Sequence, residues 1–188
     1  MRKVSNKQNT VWAAGVLLGL EKQLSSNLLG QLGVSYYTSN NLQIQGDINQ
    51  FADPIFNNLT YKYNINTQRV MLETKLLTTI RTIYHPYVTA GLGEAINKAY
   101  GYNEMPVSSD AVPMVPGFND RRQHLIAGIA GLGLDVDITP NLRLGGMYRY
   151  LALNKAGLGT SPLQDGNQTL INSPLQGNEF LLQLSYLR

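Results

Sequence analysis

The chain has 188 residues, no cysteine and a formal net charge of +3. That length suits one domain with a sizeable core. The missing thiol excludes disulfides, thiolate zinc, iron–sulfur ligation and a cysteine nucleophile, and it is compatible with reducing and oxidising compartments alike. The 15 Lys and Arg and 12 Asp and Glu are scattered, which gives no basic footprint for nucleic acid. Asn and Gln together make up 30 residues, so the polar content is mostly neutral.

Residues 1–10, MRKVSNKQNT, have a basic start, and VWAAGVLLGL follows. Gly15 and Gly19 interrupt that run, and Glu21-Lys22-Gln23 ends it without a small-x-small cleavage site, so it does not read as a secretory signal. No stretch reaches the roughly 18–20 apolar residues of a transmembrane helix. Residues 1–9 are expected to be a loop or disordered segment.

Seven segments read as strands, at 10–24, 28–39, 60–79, 84–98, 120–137, 142–154 and 177–187. Each is too rich in Gly, β-branched and aromatic residues to favour a helix. In the first, Trp12, Ala14, Val16, Leu18 and Leu20 share a face. The second is the clearest, with Leu28, Gly30, Leu32, Val34 and Tyr36 opposite Leu29, Gln31, Gly33, Ser35 and Tyr37. In the third, Val70, Leu72, Thr74 and Leu76 face away from Glu73 and Lys75, whereas Tyr61, Tyr63 and Ile65 carry the opposite apolar phase. Either a bulge lies at Thr67–Arg69 or the early part leaves the apolar environment; the second reading is preferred. The fourth puts Glu94 on the face of Val88, Ala90, Leu92 and Ile96, which is unexplained. The fifth alternates only moderately, and the sixth and seventh alternate cleanly, the last with Phe180, Leu182, Leu184 and Tyr186 on one face.

Short connections at Ser25–Asn27, Ile80–Ile83 and Ile138–Asn141 alternate with long ones at 40–59, 99–119 and 155–176. The long ones hold the breakers Asp53-Pro54, Pro106, Pro113, Pro116-Gly117, Ser161-Pro162 and Ser173-Pro174.

This layout, with Pro86-Tyr87-Val88-Thr89-Ala90-Gly91-Leu92-Gly93, with Gly131-Leu132-Gly133-Leu134-Asp135-Val136 before Thr139-Pro140-Asn141, and with Leu144-Gly145-Gly146-Met147-Tyr148-Arg149-Tyr150, resembles the small outer-membrane β-barrel proteins of Gram-negative bacteria, the eight-stranded OmpA-like and OmpW-like group. The resemblance covers residues 10–188. It implies an all-β fold, an antiparallel up-and-down transmembrane β-barrel, as a single domain over residues 1–188 in the cell outer membrane. Such barrels have an even strand count and long loops outside. Seven strands and the loop parity therefore lead to the expectation that a signal peptide and a first strand precede this chain. The terminal Arg188 departs from the aromatic ending usual in the group.

The implied inner face holds Glu21, Gln31, Glu73, Lys75, Asp135, Arg143 and Arg149, with Gly15, Gly19, Gly33, Gly91, Gly93, Gly131, Gly133 and Gly145 relieving crowding. Trp12, Tyr36, Tyr84, Tyr148, Tyr150 and Tyr186 would form interfacial belts. The implied partners are outer-membrane lipids, lipopolysaccharide, the barrel assembly machinery and an extracellular partner on the long loops, with no nucleic acid, for a monomer.

Catalytic chemistry is sparse. His85 sits at a short turn, and His124 lies near Arg121, Arg122 and Asp120. A grouping of His124 with Ser108 or Ser109 and Asp110 would imitate lipid-modifying barrels, but its spacing is unspecific. No residue is assigned a catalytic, cofactor-binding or metal role, no cofactor is expected, and the chain is not read as an enzyme. Asn58-Leu59-Thr60 and Asn167-Gln168-Thr169 match a glycosylation pattern by coincidence. The expected function is a structural or surface-interaction role, adhesion included. One alternative is passive transport of small apolar molecules. Another is a soluble β-barrel or sandwich that binds a small ligand, with its apolar face inward and Glu and Arg outward.

Overall fold

The computed structural model describes residues 2–4, 12–49, 57–107, 113, 118–160 and 169–188. Nine strands form one antiparallel sheet: β1 (Arg2–Val4), β2 (Ala13–Ser25), β3 (Leu28–Ser39), β4 (Leu42–Asn49), β5 (Asn57–Thr78), β6 (Tyr84–Pro106), β7 (Arg121–Thr139), β8 (Leu142–Thr160) and β9 (Thr169–Tyr186). The long β5 carries two partners on one side. Its first half pairs with β4, from Leu42↔Ile65 to Asn49↔Asn57, and its second half with β3, from Thr38↔Gln68 to Leu28↔Thr78. In turn β1 pairs with β4, and β2 with β3. Across the sheet there are thus seven strand positions, from β1/β2 to β9.

The tight turns follow the short connections. Residues 26–27 join β2 to β3, and residues 140–141 join β7 to β8. The β5–β6 turn is closed by an Ile80–Tyr84 bridge and holds Arg81 and Thr82 at positive φ. The strands run further than the sequence pattern indicates. Much of the expected loops at 40–59, 99–119 and 155–176 is ladder, because β4 and the extended ends of β5, β6, β8 and β9 occupy it.

The sheet is open, and this overturns the expected transmembrane barrel. Among the described residues β2 pairs only with β3 and β9 only with β8, and no ladder joins β2 to β9. In hydrocarbon every backbone N–H and C=O needs an internal partner, and only closure removes the edges. A sheet with two unpaired edges does not meet that condition. An even strand count belongs to closed barrels, so the seven positions no longer call for an eighth strand. No helix among the described residues is long and apolar enough to cross a membrane.

Alternation divides the sheet into two unlike faces. On β5 every odd residue from Leu59 to Leu77, apart from the half-buried Thr67, is buried, and Val70, Leu72 and Leu76 are exposed. The ladder to β6 is regular from Asn64 to Leu77, so there is no bulge at Thr67–Arg69. The phase of the backbone is constant, and only the chemistry of its inner side chains changes along the strand. Near the start of β5 that face is an aromatic cluster of Leu59, Tyr61, Tyr63, Ile65, Ala99 and Phe118. An aliphatic group of Met71, Ala95, Ala127, Ile129, Leu151 and Leu153 follows, and Leu77, Tyr87 and Met147 close the other end. Charges sit between these groups on the inner face, and leucine and valine face outward. This is the reverse of the polarity expected for a soluble barrel or sandwich, with Glu and Arg outward.

Candidate functional site

The inner face gathers its charges from strands far apart in sequence. On β5, Arg69, Glu73 and Lys75 fall in one phase, so all three point inward. The sheet bends enough for them to meet β8 and β9. Arg69 Nη2 lies 2.8 Å from Glu179 Oε1, and Arg149 Nε donates to Glu179 Oε2 at 2.7 Å. Arg149 Nη1 stands 3.5 Å from Glu73 Oε1, which also accepts from Ser35 Oγ at 2.5 Å. The Tyr37 ring is stacked beneath both guanidinium groups, 4.3 Å from Arg149 and 5.3 Å from Arg69. Lys75 Nζ donates to Gln183 Oε1 at 2.8 Å, stands 3.8 Å from Asp135 Oδ2 and lies 4.3 Å over the Tyr87 ring.

Burial and pairing compete at each charge. Burial pulls Lys75 below its ordinary value, against the pull of Asp135 and Glu73. Burial lifts the Asp135 carboxyl despite Lys75 and Arg143. Burial raises the Tyr37 phenol, and it raises that of Tyr87 further. At Arg149 burial acts downward, but Tyr37, Glu179 and Glu73 outweigh it and the guanidinium is held up. Several buried atoms of this layer have no hydrogen-bond partner among the described residues: Arg69 Nη1, Arg149 Nη2, Glu73 Oε2, both Asp135 oxygens and the Tyr87 hydroxyl. Leaving such groups unmade costs about 1–3 kcal/mol each.

A second group closes the turn end. Arg143 donates to Asp137 Oδ1 at 2.7 Å and to Glu21 Oε2 at 2.8 Å. His85 Nε2 faces Asp137 Oδ2 at 2.8 Å, and its Nδ1 faces Thr79 Oγ1 at 3.2 Å. These contacts explain the buried histidine at the turn as a structural tie.

The charged layer borders a cavity of about 3000 Å³ that opens between β2 and β9. Arg69, Glu73, Lys75 and Glu179 line its polar part, and Leu42, Ile44, Ile65, Leu151 and Leu153 its apolar part.

The seven residues assigned to the inner face by alternation are joined here by contacts. Glu21 reaches Arg143 and Gln31, and Glu73, Lys75, Asp135, Arg143 and Arg149 are buried. Ser35 and Tyr37 fall on the face of Gln31, as the alternation of β3 indicates, whereas Arg69 and Glu179 are additions to the expected set, although their odd numbering on β5 and β9 carries the signal. Asn97 is buried on β6 with neither amide atom partnered among the described residues. Among the described residues the polar contact of the His124 ring is with Glu94. The ring is exposed on the outer face, with Nδ1 2.5 Å from Glu94 Oε1, which also accounts for Glu94 there. Ser108, Ser109 and Asp110 lie outside the described residues. Among the described residues no group of three or more His, Cys, Asp or Glu is placed to hold a metal.

No protein-family model, curated protein or solved structure matches this chain. The resemblance to OmpA-like and OmpW-like outer-membrane barrels is therefore unsupported, and the open sheet contradicts it. What rested on a closed barrel falls with it: the outer-membrane location, the lipid, lipopolysaccharide and assembly-machinery partners, the surface-adhesion role and passive transport through a barrel.

Proposed function

We propose that this chain is a binding domain whose concave face takes a small amphipathic ligand. The observation that carries this reading is the cavity, lined by Arg69, Glu73, Lys75 and Glu179 in one part and by aliphatic side chains in another. Ligand sites are concave and mostly apolar, with a few polar groups that fix orientation. Here the polar end of a ligand would meet Arg69, Glu73 and Lys75, which bring both donors and acceptors to the lining. Its apolar body would lie along Ile65, Leu151 and Leu153. Binding without catalysis is part of the same proposal: the inner charges are held in mutual pairs, and His124 stands apart from them.

Anilinonaphthalene sulfonate is a suitable probe, being anionic at one end and aromatic at the other. Its fluorescence should report one saturable site above a weaker, non-saturating background from the exposed outer leucines. Leu153→Trp, which narrows the apolar part of the cavity where the ligand body would lie, should weaken that site at least tenfold, equivalent to about 1.4 kcal/mol. Leu92→Ser, on the outer face, should leave it unchanged. Loss of the signal with Leu92→Ser and retention with Leu153→Trp would sink the proposal.

A further inference from the structure

Both lips of the cavity are strand edges. Trp12 N–H donates to Asn40 Oδ1, and Trp12 C=O accepts from the Asn40 backbone, in register with Ala13↔Ser39. Hydrogen-bonded and non-hydrogen-bonded pairs alternate along an antiparallel ladder. The even residues of β2 therefore turn their backbone groups toward β3. Gly15, Leu17, Gly19 and Glu21 turn theirs to the opening. On β9, Leu187 N–H donates to Asn141 C=O, next to the Leu142↔Tyr186 pair. Asn178, Phe180, Leu182, Leu184 and Tyr186 thus turn theirs to the same opening.

We infer that this opening is a slot for one extended peptide segment of a partner protein, inserted between β2 and β9. Direction supports a single inserted strand. Six successive antiparallel pairings lead from β2 through β3, β5, β6, β7 and β8 to β9, so the two free edges run parallel to each other. One segment running the other way is antiparallel to both and pairs two edges at once. Span supports it too. Beneath the opening Glu21 on β2 reaches Arg143 on β8, so the lips are no further apart than joined side chains allow.

The slot also states the chemistry of its occupant. Beside it, outward positions are Val16, Leu18 and Leu20 on one lip and Phe180, Leu182 and Leu184 on the other, all well exposed. Inward positions include Gly15 and Gly19, and the nearby charges are already paired, Glu21 with Arg143 and Glu179 with Arg69 and Arg149. The fitting segment alternates apolar residues with small neutral ones. Neither β2 nor β9 of a second copy fits, because each is already paired on one side, whereas the occupant needs both its edges free. The slot is the mouth of the same cavity, but its bonds are made by the backbone of the two edges, so amide protection tests it independently of the dye titration.

The test uses the full chain and a synthetic peptide of the length of Gly177–Tyr186, alternating Val or Leu with Ser or Thr. Hydrogen exchange should slow at least tenfold at the Leu17 and Gly19 amides and at the Leu182 and Leu184 amides together. The same peptide with alternate backbone nitrogens methylated should not protect them. Leu182→Pro removes an N–H facing the slot and no bond to β8, and should weaken binding at least tenfold. Should that variant fail to fold, the methylated peptide still decides. Protection of one edge alone, equal binding by the methylated peptide, or concentration-dependent protection without any peptide would each overturn the inference.

Discussion

Glu179 shows how the inner charges are held. Burial alone lifts its carboxyl, but Arg69 and Arg149 at 2.8 and 2.7 Å outweigh that and hold it below the ordinary 4.5. Asp137 is likewise held down, burial being opposed by Arg143 and His85. A group whose pKa is depressed on folding contributes stability above its unfolded value and loses it as pH falls through the folded one. The melting temperature should therefore drop once pH falls below 4.5, the ordinary glutamate value. Glu179→Gln should lower stability at neutral pH by on the order of 2 kcal/mol, less than for a fully buried ion pair because the side chain keeps some exposure. It should also flatten the acid drop; thermal melts monitored by circular dichroism across that range would show it, and an unchanged acid slope in the variant would refute the assignment. Period-two alternation made Glu73, Lys75, Asp135 and Arg149 legible as one face. It did not reveal that Arg69 and Arg149 share Glu179, because pairing between strands this distant depends on the bend of the whole sheet.

The glycines of the ladder separate two roles that the sequence does not distinguish. A Cβ on Gly93 would collide with the Val70 carbonyl and press on the Met71 backbone, so Gly93→Ala should destabilise by about 1–3 kcal/mol. A Cβ on Gly146 meets nothing within 4 Å. Gly146→Ala should be neutral or stabilise by up to about 1 kcal/mol, by restricting the unfolded chain. Chemical denaturation of the two variants separates them, and equal effects would contradict the register. Strand positions were otherwise well written in the sequence: β3 falls on the expected 28–39, and the expected segment at 142–154 lies within β8. The missed elements are β1, which lies within the residues 1–9 expected to be loop, and β4. Leu42, Ile44 and Ile48 alternate with Gln43, Gln45 and Asp47 as a strand requires, but the polar composition and the nearby Asp53-Pro54 made the segment read as loop. Closure was not legible, because alternation and turn lengths specify neighbouring pairs and say nothing about whether the first and last strands meet.

At the scale of the whole molecule the outer face stands out. Leu18 is 80% exposed, Ile126 76% and Leu182 90%, with Leu92, Leu132 and Leu184 exposed among them. The largest apolar patch on a typical soluble monomer is about 300–600 Å², and larger ones mark interaction surfaces or drive association. These side chains contribute little to folding, since they stay in contact with solvent. Exchanging three of them, Leu18, Leu132 and Leu182, for Ser should therefore change stability by no more than about 0.5 kcal/mol each. The same exchange should sharply reduce self-association in water, read as light scattering at matched concentration. None of the three side chains makes a charged contact, so the inner network and its acid response should be intact in the variant. If scattering is unchanged while stability is preserved, association runs through the unpaired backbone of β2 and β9 instead, and Pro at Leu17 or Leu182 should then suppress it where Ser does not.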